Sequence, residues 1–324
     1  MRVLVTGGAG FIGSHYVRSL LGGRYPAFGD AEVVVLDLLT YAGTLTNLPD
    51  PATEPRLRFV RGDIRDAVAV TEVMAGADVV VHFAAESHVD RSITGAADFV
   101  STNVVGTQVL LQAALEAGVS RFVHVSTDEV YGSIEHGSWP ETHPLEPNSP
   151  YSASKAGSDL LARSYHRTHG LPVCITRFSN NYGPHQFPEK VIPLFVSNLL
   201  DGRKVPLYGD GLNVRDWLHV DDHCRGIQLV AEKGRDGETY NIGGGTELTN
   251  RDLTYRLLAA VGADESMIEP VADRKGHDRR YSVDWSKIAD ELGYAPQTPF
   301  DRGLPATVEW YRTHRSWWEP LKSR

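Results

Sequence analysis

Residues 3–13 read Val3-Leu4-Val5-Thr6-Gly7-Gly8-Ala9-Gly10-Phe11-Ile12-Gly13, and Ser14–Leu21 follow with helical character. A β-branched run, a glycine-rich turn and a helix start, in that order, are the setting that gives a Gly-x-Gly-x-x-Gly spacing physical meaning. Glycine permits the tight turn, the close approach of backbone to a pyrophosphate and the contact of helix with strand. The helix N-terminus adds N–H donors and positive dipole. Gly7, Gly10, Phe11, Ile12 and Gly13 are therefore candidate cofactor contacts. The second β-branched run, Glu32–Asp37, ends 24 residues beyond Gly13 in Asp37, where a carboxylate accepts hydrogen bonds from the adenosine ribose hydroxyls. That carboxylate predicts NAD and not NADP, because a 2′-phosphate beside it would meet like charge.

Working outward, short apolar runs alternate with amphipathic stretches: Val3–Thr6, Glu32–Asp37, Arg58–Arg61, Val79–Phe83, Arg121–Ser126 and Pro172–Phe178. The alternation predicts β-α-β units, and the nearly continuous apolar character of the runs predicts strands buried on both faces. The expected fold class is α/β, a Rossmann-type doubly wound parallel sheet with a smaller C-terminal substrate-binding lobe. Loop-rich sequence after Phe178 marks that lobe, laid over the carboxyl ends of the strands where open α/β sheets bind ligands. The expected division is 1–177, with about 213–245 returning, for the cofactor domain, and 178–212 with 246–324 for the nucleotide-sugar domain. Thr40 and Gly43 in the loop after Asp37, Asp63 and Ile64 after the third run, and Ala84-Ala85 after the fourth extend the cofactor candidates. Asp63 is placed to face adenine, and the two alanines give backbone clearance.

The chain has 324 residues, 41% apolar and 23% charged, with a formal net charge of −9. An acidic protein is repelled by nucleic acid and by anionic membranes, so neither is expected as a partner. Any phosphate-bearing ligand must be held by local Lys, Arg and backbone N–H groups. Two cysteines, Cys174 and Cys224, are too few for a disulfide scaffold and too far apart for a CxxC pair, which favours reduced thiols and a cytoplasmic location. No apolar run has the ~18 residues that a membrane helix needs.

Tyr151-Ser152-Ala153-Ser154-Lys155 places a phenol and an ammonium four residues apart, on one face of a helix. The Lys charge is expected to lower the phenol pKa from its reference of about 10 and make Tyr151 a base near neutrality. Together with Thr127, at the end of a strand, these residues resemble the triad of the extended, sugar-nucleotide-modifying short-chain dehydrogenase/reductases. Thr127-Asp128-Glu129-Val130-Tyr131-Gly132 is further similar to the TDEVYG segment of dTDP-glucose 4,6-dehydratases. Resemblance to that family implies that Tyr151 removes the sugar 4-hydroxyl proton, with Thr127 on the same hydroxyl and Lys155 on the nicotinamide ribose. It also implies that Glu129 is the base at C5, that Asp128 is the acid for the departing C6 hydroxyl, and that the enzyme is a homodimer. Asp128 must then have a raised pKa.

The same resemblance implies substrate contacts. Ser87 and His88 lie in a loop beside nicotinamide and sugar, and Asn180 and Lys190 meet the diphosphate-sugar. Pro206 and Tyr208 lie near thymine, with Arg215 on a phosphate; Asn250, Arg274, His277 and Tyr281 complete the nucleotide pocket. Phe178 departs from the smaller residue usual there, which alters packing beneath the sugar. His219 and His223 are spaced i, i+4, but with no Glu in the zincin position and Asp222 as an expected helix cap, no metal site is expected. Trp317-Trp318 is expected to dock on the protein's own body. Two other functions stay open. A nucleotide-sugar epimerase or decarboxylase shares Tyr151 and Lys155 but has no use for Asp128-Glu129. A non-catalytic NAD-binding regulatory protein is expected to have lost some of these groups.

Overall fold

The computed structural model describes residues 1–323. Six strands come in the anticipated order: β1 (Arg2–Thr6), β2 (Glu32–Asp37), β3 (Leu57–Arg61), β4 (Val79–His82), β5 (Arg121–Val125) and β6 (Val173–Phe178). The second half is more structured than its loop-rich sequence suggests. It contains β7 (Asn180–Tyr182), β8 (Val205–Tyr208), β9 (Val214–His219), β10 (Thr239–Ile242), β11 (Glu247–Thr249) and β12 (Ile268–Val271). The main sheet has seven parallel strands in the order β10-β6-β5-β4-β1-β2-β3. This is a doubly wound Rossmann sheet whose order reverses between β1 and β4, and that switch point opens a crevice at the strand ends.

Helices cover both faces. On one side α1 (Phe11–Leu21) and a later helix Val220–Lys233 pack on Val3, Val5, Val33 and Val81. On the other side α2 (Ala67–Met74), followed by α3 (Val89–Thr94), α4 (Ala96–Phe99), α5 (Thr107–Ala117) and α6 (Pro150–His169), brings Val70, Leu110 and Ala162 onto Leu4, Val80 and Phe122. The segment after β9 returns to the main sheet as α8 (Val220–Lys233) and β10. The strand before it does not, since β9 pairs with β7 and β11 in a separate three-stranded sheet. His219, not Asp222, caps α8: its Nδ1 accepts from Asp221 N–H, while Asp222 accepts the N–H groups of Gln297 and Thr298. A separate core joins α7 (Val191–Leu200) to the last helices through Tyr182, Phe195, Leu253, Phe300 and Trp318. Trp318 is fully buried and donates to Tyr311 O at 2.7 Å, so it docks inward.

Candidate active site

At the end of β1 the chain turns through Gly7, whose φ of +68° suits glycine, and Gly7 N–H closes on Leu36 O at 2.9 Å. A Cβ on Gly7 would stand 2.5 Å from Ala84 N, and one on Gly13 would collide with Gly7 O. The loop is therefore packed to backbone contact, and only glycine fits. Gly10 starts α1 without a side-chain cap, leaving its first N–H donors for a ligand. Asp37 fixes the loop from the side, accepting Ala9 N–H at 2.9 Å and Leu39 N–H at 2.8 Å. Burial nonetheless raises its pKa.

These groups face a cleft of about 670 Å³. Gly7, Gly10, Phe11, Ile12, Gly13, Asp37, Thr40, Gly43, Asp63, Ile64, Ala84 and Ala85 all line it, as do Thr127, Asp128, Glu129, Tyr151 and Lys155 at the other end. Asp63 is tied to Arg65, its Oδ2 lying 2.6 Å from Nη2, so its carboxylate is already engaged. Ser87, Asn180 and Lys190 also line the cleft, and Lys190 Nζ donates to Ser87 O at 2.8 Å.

The reactive end is built by two elements. Helix α6 starts with a capping box of Ser149 and Ser152 and with Pro150 in the first turn, which fixes where Tyr151 and Lys155 emerge. Strand β5 delivers Thr127, which caps a 3₁₀ turn over Asp128–Tyr131 by accepting Glu129 N–H at 3.3 Å, and its hydroxyl donates to Asp128 Oδ1 at 3.3 Å. Asp128 is 2% exposed. Its pKa is driven well above the ordinary carboxylate value by burial, then by the charges of Glu129 and Asp216. Glu129, partly buried at the cleft, is raised by the same desolvation, with Arg274, Arg215 and Lys190 opposing.

One expectation fails. The Tyr151 phenol is not lowered; burial and the Glu129 charge raise it well above 10, against a hydrogen bond from Thr127. Burial outweighs the neighbouring lysine, whose Nζ donates to Val125 O at 2.8 Å. Desolvation pushes the ammonium itself down to about 8, which Asp159 partly offsets.

The other expected substrate residues do not line the cleft. Arg215 sits over the Tyr281 ring at 4.1 Å and donates to Asp278 O at 2.9 Å; Tyr208 meets His277 edge-on at 6.3 Å. Arg274 lies 3.8 Å from Asp90, Pro206 is in β8 beside β12, and Asn250 begins the helix Asn250–Val261 with its N–H on Asn213 O. This group adjoins the cleft through Glu129, on which Arg274 and Arg215 both act. His88 caps α3 and stands 3.9 Å from Glu189. Phe178 lines the cleft with its ring on His223, centroids 4.1 Å apart. Among the described residues no group of three or more His, Cys, Asp or Glu side chains is placed to hold a metal ion.

Sequence reasoning missed a clamp across the cleft mouth. Arg91 lies 3.7 Å from the Tyr41 ring centroid, Phe187 meets the same ring edge-on at 5.5 Å, and Glu189 pairs with Arg91 at 3.1 Å. The residues come from three distant segments, so no local spacing could have found it.

A family model described as GDP-mannose 4,6 dehydratase matches residues 4–307. The chain is 68% identical to a dTDP-glucose 4,6-dehydratase of Streptomyces antibioticus, covering 100% of this chain and 96% of that protein. It is 62% identical to another from an Actinoplanes strain, over 98% and 100% of the two chains. The crystal structure of DesIV, a dTDP-glucose 4,6-dehydratase from Streptomyces venezuelae with NAD and TYD bound, matches with a TM-score of 0.98 at 67% identity, covering 99% and 100%. A UDP-glucose 4-epimerase from Thermotoga maritima matches at 0.88 and 34% identity, over 97% of this chain and 99% of that one.

Proposed function

The chain belongs to the GDP-mannose 4,6-dehydratase family of extended short-chain dehydrogenase/reductases, and from that premise we infer that it converts dTDP-glucose to dTDP-4-keto-6-deoxyglucose. It is an NAD-dependent lyase. The observation that carries the reading is the Asp128 carboxyl, buried beside Glu129 in the same cleft as Tyr151, where desolvation raises its pKa. An epimerase needs only oxidation and re-reduction and has no work for such a pair.

NAD fits the trough, because the loop admits no side chain at Gly7 or Gly13 and Asp37 stands at the end of β2. Gly10 through Gly13 would hold its pyrophosphate, Asp37 its ribose, and Lys155 its second ribose. When bound, NAD would supply a hydride acceptor for C4, the hydride donor that returns it to C6 once water has left, and a positive charge. That positive charge would act against the burial that raises the Tyr151 phenol, and Tyr151 would then take the proton of the sugar 4-hydroxyl, which Thr127 orients. The resulting 4-ketone acidifies C5–H; Glu129 removes that proton while Asp128 protonates the C6 hydroxyl, which leaves as water. Lys190, Arg215 and Arg274 supply the positive charge that a diphosphate requires on an acidic protein. Asn180, Ser87 and His88 hold the sugar, and Pro206, Tyr208, Asn250, His277 and Tyr281 hold the nucleotide. This reading assigns cofactor binding to 1–177 with 220–245, and substrate binding to 178–219 and 246–324, because β9 with Arg215 belongs to the smaller sheet and not, as expected from about 213 onward, to the main one.

Two buried free thiols, Cys174 and Cys224, favour a cytoplasmic setting. Exposed Ile93, Val100, Val105 and Leu160, on the neighbouring segments of α3, residues 100–106 and α6, support a homodimer. Purified protein with dTDP-glucose should yield the alkali-induced absorbance of a 4-keto-6-deoxy sugar. Its absence with NAD bound would reject the reading.

A further inference from the structure

We propose that Asn47, gripped by Trp317 and His185, is a latch that keeps the glycine loop closed on the cofactor, which makes Trp317 and His185 positioning residues for NAD retention. The proposal rests on the cofactor reading above. Asn47 is 2% exposed and closes the 3₁₀ turn that follows the cleft loop 38–43. Its Nδ2 donates to Ala9 O at 3.0 Å, inside the glycine loop. Its Oδ1 accepts from Trp317 Nε1 at 3.0 Å and faces His185 Nδ1 at 3.3 Å, and its carbonyl accepts from Arg18 on α1. Ala9 is held from both sides, since its N–H bonds Asp37 and its carbonyl also accepts Thr44 N–H at 3.1 Å.

The gripping side is itself rigid. Trp317 meets Trp310 and His185 edge-on at 5.0 and 5.2 Å, and His185 lies 4.5 Å from Trp310. His185 has φ +66°, a left-handed conformation that a residue other than glycine keeps only when its surroundings impose it. The next residues, Gln186, Phe187, Glu189 and Lys190, line the cleft. One asparagine therefore joins the C-terminal helices and the proposed substrate segment to the glycine loop. Releasing a dinucleotide from beneath the glycine loop means displacing that loop, and the latch opposes the displacement. A redox-neutral cycle never requires the release.

Trp317→Phe keeps the ring in its aromatic box and removes only the N–H donor. Both proteins are loaded with NAD and its loss on dilution is timed. The variant should release NAD roughly three- to tenfold faster, the scale of one net hydrogen bond, with KM for dTDP-glucose and kcat at saturating NAD unchanged. Asn47→Ala should release it faster still, and adding Trp317→Phe to it should change nothing further. Equal release from wild type and Trp317→Phe would overturn the latch and leave the cofactor reading intact. A fall in kcat at saturating NAD would also overturn it, marking Trp317 as merely structural. Wild type that takes up no NAD would overturn both.

Discussion

Arg177 donates to Asp159 at 2.9 Å beneath the helix that carries Tyr151 and Lys155, and both partners are almost wholly buried. His124 stands 3.2 Å from the same carboxylate, and Arg177 also donates to the Tyr131 hydroxyl at 2.8 Å. The network ties α6 to β5 and β6 behind the reactive end of the cleft. Asp159→Asn leaves a buried guanidinium without its counter-charge and should cost about 3–5 kcal/mol, read by chemical denaturation. Asp159 also raises the Lys155 pKa. In the variant that pKa falls below about 8, so the alkaline limb of the activity profile should move to lower pH. An unmoved limb would remove Asp159 from the electrostatics of Lys155.

Asp128→Asn removes the proposed acid and should spare the C4 chemistry. Oxidation and loss of the C5 proton should continue while water departs slowly, so solvent deuterium should enter C5 of recovered substrate and reduced cofactor should build up on the enzyme. Turnover should drop by about 10²–10⁴. Glu129→Gln should instead abolish the deuterium exchange. Full turnover in Asp128→Asn would end its assignment as the acid.

How much of this was readable in advance follows from distance along the chain. The glycine loop, Asp37 and the Tyr151–Lys155 pair are local signals, written by strand ends and by helical spacing. The short strands β7, β8, β11 and β12, of three or four residues, are too brief to show alternation. Asn47 with Trp317, and Tyr41 with Arg91, join residues whose proximity is decided only by tertiary packing. The sign of the Tyr151 shift was not legible for a related reason: spacing shows that a lysine is near, but not the burial of the phenol that outweighs it.

Asp37→Ala removes the acceptor for Ala9 and Leu39 N–H and the negative charge at the end of β2. Affinity for NAD should fall, while the preference for NAD over NADP should narrow by about tenfold or more as like-charge repulsion disappears. Equilibrium titration with both dinucleotides measures the ratio. A ratio equal to that of wild type would show that Asp37 serves the loop alone.

Gly13→Ala places a methyl group against Gly7 O, in backbone that has no flexible end to yield. The glycine turn must shift, and with it the donors at the start of α1. NAD binding should weaken by about tenfold or more, while the proposed nucleotide pocket around Arg215 and Tyr281 should keep its affinity for dTDP. Calorimetry with each ligand separates the two effects, and a parallel loss of both would indicate general unfolding.

His223 sits under Phe178, with Nδ1 at 3.0 Å from Asn181 Oδ1 and burial holding its pKa down to about 3. The ring is therefore neutral in the folded protein near neutral pH. An unfolded chain binds a proton at this histidine below about pH 6.5 while the native state does not. Stability is thus intact above that pH and declines on acidification, by about 1.4 kcal/mol per pH unit from this residue, until the folded pKa is approached. His223→Gln abolishes the titration, so urea midpoints measured across this acidic range should fall less steeply with pH than in wild type. Identical slopes would show that the buried ring is relieved of its proton deficit by local opening. Phe178 would then rest on a mobile floor, and its contribution to the shape of the cleft would have to come from the β6 backbone alone.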